Sequence, residues 1–172
     1  MVTNSLRDLL VSSGAIKSGD FTLASGRKSK IYIDIKKAIT DPHILRVIAT
    51  EVLGKELPFD AVAGVAVGGV PLAVAVSLGS EKPYIIIRKE QKGHGLSDLC
   101  IGDTKGRKIL LIEDATTSGG SAVFGIEQIR NAGGDVNLVV TVVDRNEGAA
   151  EKLSEMGIRL IPLISMQELI SD

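Results

Sequence analysis

The chain has very little of what builds a stapled or metal-knit protein. Among its 172 residues there is one cysteine, Cys100, and two histidines, His43 and His94. One thiol excludes an internal disulfide framework and a cysteine-based zinc site, and two imidazoles far apart in sequence offer little to a structural transition metal. A reducing cytoplasm is the setting that this cysteine usage fits. Tryptophan is absent and aromatics are 3% of the chain, which leaves few platforms for stacking single-stranded nucleic acid. Neither sign of charge prevails. With 20 basic and 21 acidic residues the net charge is -1, so no global field attracts nucleic acid and any basic function must be local. The apolar runs are too short, or too broken by Gly and Pro, to span a bilayer, and the first residues show no basic-then-apolar leader pattern, so no membrane role is expected. Neither G-x-x-x-x-G-K-[ST] nor a strand-linked G-x-G-x-x-G string occurs, which removes the usual support for nucleoside triphosphate or dinucleotide binding.

What remains is ample for a core. Hydrophobic residues make up 44% of the chain, and a chain of this length buries roughly 70% of its unfolded surface as one domain. Ser5 to Ser13 carries Leu6, Leu9 and Leu10 before Gly14, a short amphipathic helix with a glycine stop. Across Ser25-Gly26, Phe21 and Leu23 face the alternating Ile31, Tyr32, Ile33 and Asp34, which predicts a β-hairpin with Arg27, Lys28 and Lys30 at its turn. These pieces, up to about residue 40, read as a small cap on a larger core. Asp41-Pro42 then opens a helix that the apolar spacing carries to Leu57, with His43 in its first turn and no role assigned to it.

From Asp60 the grammar is βα. Strands are expected at 61–66, 84–87, 109–112 and 138–143, with helices at 72–78 and 122–132, and a helix at 149–156, a short strand at 159–161 and a closing helix follow. Apolar strands alternating with helices predict a parallel, doubly wound sheet, whose ligands bind beyond the carboxyl ends of its strands. That edge collects the glycine turn 67–70, Arg88, and Asp144-Arg145.

At the same edge lies ILLIEDATTSGGS, residues 109–121. Four apolar residues stop at two adjacent carboxylates, Glu113 and Asp114. Ala115, Thr116, Thr117, Ser118, Gly119, Gly120 and Ser121 follow, small residues that turn tightly and present N–H groups at a helix N-terminus. Such a loop, with its three hydroxyls at 116–118, favours a phosphate; the acids repel one and call for hydroxyls or a metal. A ribose 5-phosphate satisfies both halves. A generic helix-capping turn is the alternative, but charged residues ending an apolar central strand are costly to desolvate without a partner. Farther along the edge, Arg88, Lys89, Lys92 and His94 crowd a glycine-loosened segment, 88–106, which reads either as a solvated loop or as a lid over a polyanion.

Four stretches together resemble the orotate phosphoribosyltransferase family: FTLASGRKSKIYID (21–34), RKEQKGHG (88–95), IEDATTSGGS (112–121) and VDRNEGA (143–149). The resemblance implies an α/β, mainly parallel five-stranded core, about 41–172, under an N-terminal hood, about 1–40. It implies a homodimer with shared active sites, acting on orotate and the magnesium complex of 5-phosphoribosyl 1-diphosphate (PRPP), with Mg²⁺ held mainly by the substrate. Glu113 and Asp114 would hold the ribose hydroxyls, Thr116 to Ser121 the 5′-phosphate, and Arg88, Lys89, Lys92 and His94 the leaving diphosphate. Lys92, His94 and Asp114 would be catalytic, with Arg145 on the orotate carboxylate and Thr117 on the base. Two positions depart from the family pattern: Ala24 and Gly68 stand where relatives carry Lys, so two cationic contacts are absent or supplied by neighbours such as Lys28. The resemblance also points to a strained or cis peptide around the 67–70 turn. A purine phosphoribosyltransferase and a non-catalytic PRPP-sensing regulator are the competing readings.

Overall fold

A computed structural model describes residues 5–22, 28–90 and 99–170. Helix α1 (Leu6–Ser12) is started by Ser5 and Asp8, whose side chains cap each other's backbone N–H, and it buries Leu6 and Leu10. Strands β1 (Ile16–Thr22) and β2 (Lys28–Ile33) pair antiparallel as the expected hairpin, with Phe21 against Tyr32. The short helix α2 (Ile35–Ala38) is capped by Asp34, which accepts from the Lys37 N–H. Helix α3 (Pro42–Leu53) starts at Asp41-Pro42 as read, but it ends at Gly54 rather than at Leu57.

The core sheet then follows as β3 (Ala61–Val65), α4 (Gly69–Ser80), β4 (Tyr84–Ile87), β5 (Cys100–Ile101), β6 (Lys108–Thr116), α5 (Gly120–Asn131), β7 (Asp135–Asp144), α6 (Ala149–Glu155), β8 (Arg159–Ser165) and α7 (Met166–Ile170). Strand order is β5-β4-β3-β6-β7-β8. Five strands are parallel, as expected; the two-residue β5 adds a sixth, antiparallel to β4. Three strands outrun their expected bounds: β7 extends beyond 138–143 at both ends, and β6 and β8 run on beside it. β6 continues through Glu113 and Asp114 to Thr116 because the longer β7 pairs with it, Glu113 opposite Thr141 and Thr116 opposite Asp144. β8 runs past Pro162, which a sheet tolerates on an edge strand.

Side-chain alternation sorts the apolar residues onto two faces. Val62, Leu110, Ile112 and Val140 join α1, α3, α4 and the hood residues Ile31, Ile35 and Ala38 in one cluster. Ala61, Ala63, Ile109, Leu111 and Val139 pack against Ala122, Ile126 and Ile129 of α5 and Leu153 of α6 in the other. The chain winds outward from β3 to β4 and, in the other direction, from β6 to β7 and β8. The switch point therefore lies between β3 and β6, and the turns leaving these two strands form the walls of its crevice.

One wall is backbone against backbone. A Cβ at Gly64 would lie 2.1 Å from the Gly69 carbonyl oxygen, and one at Gly69 would lie 2.7 Å from the Ile112 carbonyl oxygen. The N-terminus of α4 thus rests directly on β3 and β6. The Ala66–Val67 peptide entering this turn is cis, in the region where the family resemblance pointed to one.

Candidate active site

The alternation that builds the two cores also separates the two acids. Glu113 continues the face of Ile109 and Leu111 toward α5, whereas Asp114 continues that of Leu110 and Ile112 toward α4 and the hood. Both are buried, with 3% and 8% of their surfaces exposed. The Ser121 side chain at the start of α5 stands beside the Glu113 carboxylate and favours its ionised form. Its Oε1 is buried without a hydrogen-bond partner among the described residues. Burial, first, and the neighbouring charge of Asp114 push its carboxyl up to about 7, and Ser121, Lys89 and Lys36 offset this only in part. Asp114 is held differently. Its Oδ2 accepts from Lys36 Nζ at 2.8 Å, a contact that spans 78 residues of chain. The same bond is the main cause raising the Lys36 ammonium above its ordinary value.

Asp114 also leans on the turn after β3. A Cβ placed on Gly68 would fall 2.4 to 2.6 Å from the Asp114 carboxyl atoms, so a side chain there would have to displace that carboxylate from its present position. Gly68 has an ordinary right-handed helical φ of -65°, and the demand for glycine here is one of space rather than of backbone conformation.

Beyond β6, Gly119 takes φ +76° and opens α5, a twelve-residue helix that begins without a side-chain cap. Glu113, Ala115, Thr116, Thr117 and residues 119–122 line a small pocket here, with Thr117 and Ser118 exposed. First-turn N–H groups and the positive end of the helix dipole face this pocket, features that favour an anion. Thr116 is the exception among the loop hydroxyls, because its Oγ1 donates to Asp144 Oδ1 at 2.9 Å inside the sheet. The same Asp144 oxygen accepts from the Asn146 N–H, and the Arg145 N–H donates to the Thr116 carbonyl oxygen. Thr116 therefore ties the root of the loop to the turn that presents Arg145. The Arg145 guanidinium is mostly buried and lies with Nε 3.4 Å from Glu147 Oε1.

Of the expected diphosphate cations, Arg88 follows β4 directly, its N–H donating to the Leu99 carbonyl oxygen, and Lys89 with Gly120, Ser121 and Phe124 lines a cavity of about 370 Å³ on the Glu113 side. Lys92 and His94 lie outside the described residues, as do Ala24 and Arg27. The structure brings together residues 113–121, Lys89 and the Thr116–Arg145 connection, and it adds three residues that local sequence did not single out: Lys36, Asp144 as a tether, and Glu147. Only the run of carboxylates at a strand end hinted that a long-range cation was needed.

No group of three or more His, Cys, Asp or Glu among the described residues could enclose a metal ion. The donors present are two carboxylates on opposite faces of one strand. That set suits a hard divalent ion bound chiefly through substrate and water oxygens rather than a protein cage. Among the described residues no helix is long and apolar enough to cross a membrane.

Comparison with known proteins agrees with this geometry. The phosphoribosyl transferase domain model matches residues 37–159. The orotate phosphoribosyltransferase of Methanospirillum hungatei is 67% identical over 171 residues, 99% of either chain. The crystal structure of orotate phosphoribosyltransferase from Aeropyrum pernix superposes with a TM-score of 0.84 at 37% identity over 96% of both chains. That of the Mycobacterium tuberculosis enzyme in complex with PRPP does so at 0.79 and 28% identity, covering 95% of this chain and 96% of the other. With the phosphoribosyl transferase domain model covering residues 37–159 and relatives matching along nearly its whole length, the chain belongs to the orotate phosphoribosyltransferase family, the pentosyltransferases of pyrimidine biosynthesis.

Proposed function

We propose that the crevice between the β3 and β6 turns binds PRPP and orotate and joins them. The C1–diphosphate bond breaks, a bond from C1 to the orotate ring nitrogen forms, and orotidine 5′-monophosphate and diphosphate leave. The observation that carries this reading is the pairing of an acid site and an anion site at one switch point: Glu113 and Asp114 end β6 where the uncapped N-terminus of α5 begins.

As the bond to diphosphate lengthens, positive charge develops on the ribose ring and negative charge on the leaving group. Glu113 and Asp114 accept hydrogen bonds from the ribose hydroxyls and place negative charge beside the ring. The Glu113 carboxyl, raised to about 7 in the free chain, is favoured in its ionised form once donors and cations approach it. The backbone N–H groups of residues 117–121 and the dipole of α5 take the 5′-phosphate. Arg88 and Lys89, with Lys92 and His94, stabilise the departing diphosphate, and closure of the 88–106 segment would exclude water. Glu113 and Asp114 would offer carboxylate oxygens to a Mg²⁺ bound through PRPP, which would supply neutralisation of part of the diphosphate charge. Arg145 offers a planar fork to the orotate carboxylate, with Thr117 beside the base.

Sharing of the site across a homodimer, with Arg88, Lys92 and His94 serving the partner's phosphate loop and Lys89 its own, fits a cation-rich segment that needs a surface to close against. A cytoplasmic location fits the cysteine usage. The test is a panel of bases offered with PRPP while diphosphate release is followed. Orotate alone should turn over; release with hypoxanthine or adenine and none with orotate would refute the reading, and no release with any base would favour a non-catalytic PRPP sensor.

A further inference from the structure

Lys36 is the feature of the crevice that the mechanism above leaves unused. It sits on α2, a helix of four residues that is fixed at three points: Asp34 caps it, and Ile35 and Ala38, each 2% exposed, are buried in the core shared with the sheet. Of the two lysines between these anchors, Lys36 is the one that reaches the site, through its bond to Asp114. The pairing is unequal. The Asp114 side chain is 11% exposed while that of Lys36 is 63% exposed, so one partner is fixed in the sheet and the other stands on a long stem in water. An exposed ammonium adds little stability by such a bond, so the pairing is poorly explained as a structural clip.

Two further observations narrow the role. The Asp114 oxygens are the acceptors that the ribose hydroxyls need, so ribose and Lys36 compete for the same atoms. And the turn on which Asp114 rests, Val67-Gly68-Gly69-Val70, brings no cation, nor can a longer side chain stand at Gly68 without moving Asp114. Lys89 lies on the other side, toward Glu113 and Ser121.

We propose that Lys36 is an exchangeable cation of the PRPP site: it covers Asp114 in the free chain, yields those oxygens to the ribose hydroxyls, and transfers its charge to the diphosphate that PRPP carries on C1, the carbon next to those hydroxyls. This rests on the reading of the crevice as a PRPP site. It makes Lys36 specific for ligands that carry a diphosphate, and it makes the ion pair with Asp114 a cost that any ribose ligand must overcome.

Calorimetric titration of the full chain separates these effects, using PRPP with Mg²⁺, ribose 5-phosphate and inorganic diphosphate with Mg²⁺ as probes. Lys36→Met should weaken PRPP and diphosphate by roughly 10- to 100-fold, the contribution of one charge-assisted hydrogen bond. Ribose 5-phosphate should bind Lys36→Met as tightly as wild type or tighter, because Asp114 is no longer occupied. Lys36→Arg should recover most of the PRPP affinity, and in turnover the KM for PRPP should rise while that for orotate stays. Thermal melts of the variants establish that they are folded. Equal weakening of PRPP and ribose 5-phosphate would mean that Lys36 only positions Asp114, and would overturn the proposal, as would unchanged affinity for all three probes. Wild type that binds neither PRPP nor ribose 5-phosphate would overturn the PRPP reading itself, and the role of Lys36 with it.

Discussion

Glu113 should cost the free protein stability, and the cost should depend on pH in a particular direction. Its carboxyl has an ordinary value of 4.5 and stands at about 7 in the folded chain, chiefly because it is buried. Between these values the folded state binds more protons than the unfolded one, so stability falls as pH rises from below 4.5 through 7 and then levels off. At ~1.4 kcal/mol per pH unit the full penalty is about 3 kcal/mol, present above neutral pH and absent in mild acid. Glu113→Gln removes the ionisation while keeping the shape and an acceptor for Ser121. In urea unfolding followed by far-UV circular dichroism at fixed protein concentration, it should be more stable than wild type at pH 8. The gain should approach 3 kcal/mol and shrink to nothing toward pH 4.5. Turnover should fall at every pH by roughly 10- to 100-fold, because an amide offers the ribose hydroxyls a poorer acceptor. A difference in stability that is the same from acid to alkaline pH, or a variant less stable than wild type at pH 8, would refute the reasoning.

Three other outcomes are expected. Arg145→Ala removes the fork that lies beside Glu147 but keeps the backbone bond to Thr116, and should weaken orotate by about 1.5–3 kcal/mol with PRPP little changed; equal weakening of both in initial-rate kinetics would make Arg145 structural. Asp114→Asn should cut turnover by roughly 10- to 100-fold, the scale of a lost charged acceptor, with the melting curve nearly unchanged because the Lys36 end of the ion pair stands mostly in water. Lys92→Ala and Asp114→Ala, each inactive alone, should regain activity on mixing in proportion to the heterodimer formed; verified heterodimers without activity would place the 88–106 segment over its own chain's site.

Much of the fold could be read from the chain because local rules and the tertiary structure agree. Asp41-Pro42 opens α3, Ser165 and Glu168 cap α7, and the period-two pattern of β2 survives as a hairpin. The ends of β6 and β8 were not legible, because pairing with β7 overrides local polarity and the proline at 162. In the site, the acid pair and the small-residue loop announced themselves by composition. That the acids face opposite sides follows from strand alternation, but only once the strand is known to continue through them. Lys36 could not be found locally: nothing in IKKA distinguishes it from Lys37, and its partner lies on another element. Likewise Thr116 reads as one more loop hydroxyl until Asp144 is seen beside it.

The contact of Gly64 with Gly69 bears on where this protein can change. Because main chain meets main chain there, the width of the crevice is set by the absence of two methyl groups, and a single carbon at either position would pry the start of α4 off the sheet. Val67 in the same turn is 74% exposed and packs against little. The turn is thus permissive at its rim and closed to variation at its floor. New substrate preferences would have to arise from the hood, the 88–106 segment or the neighbourhood of Arg145, leaving the ribose seat as an inherited constant.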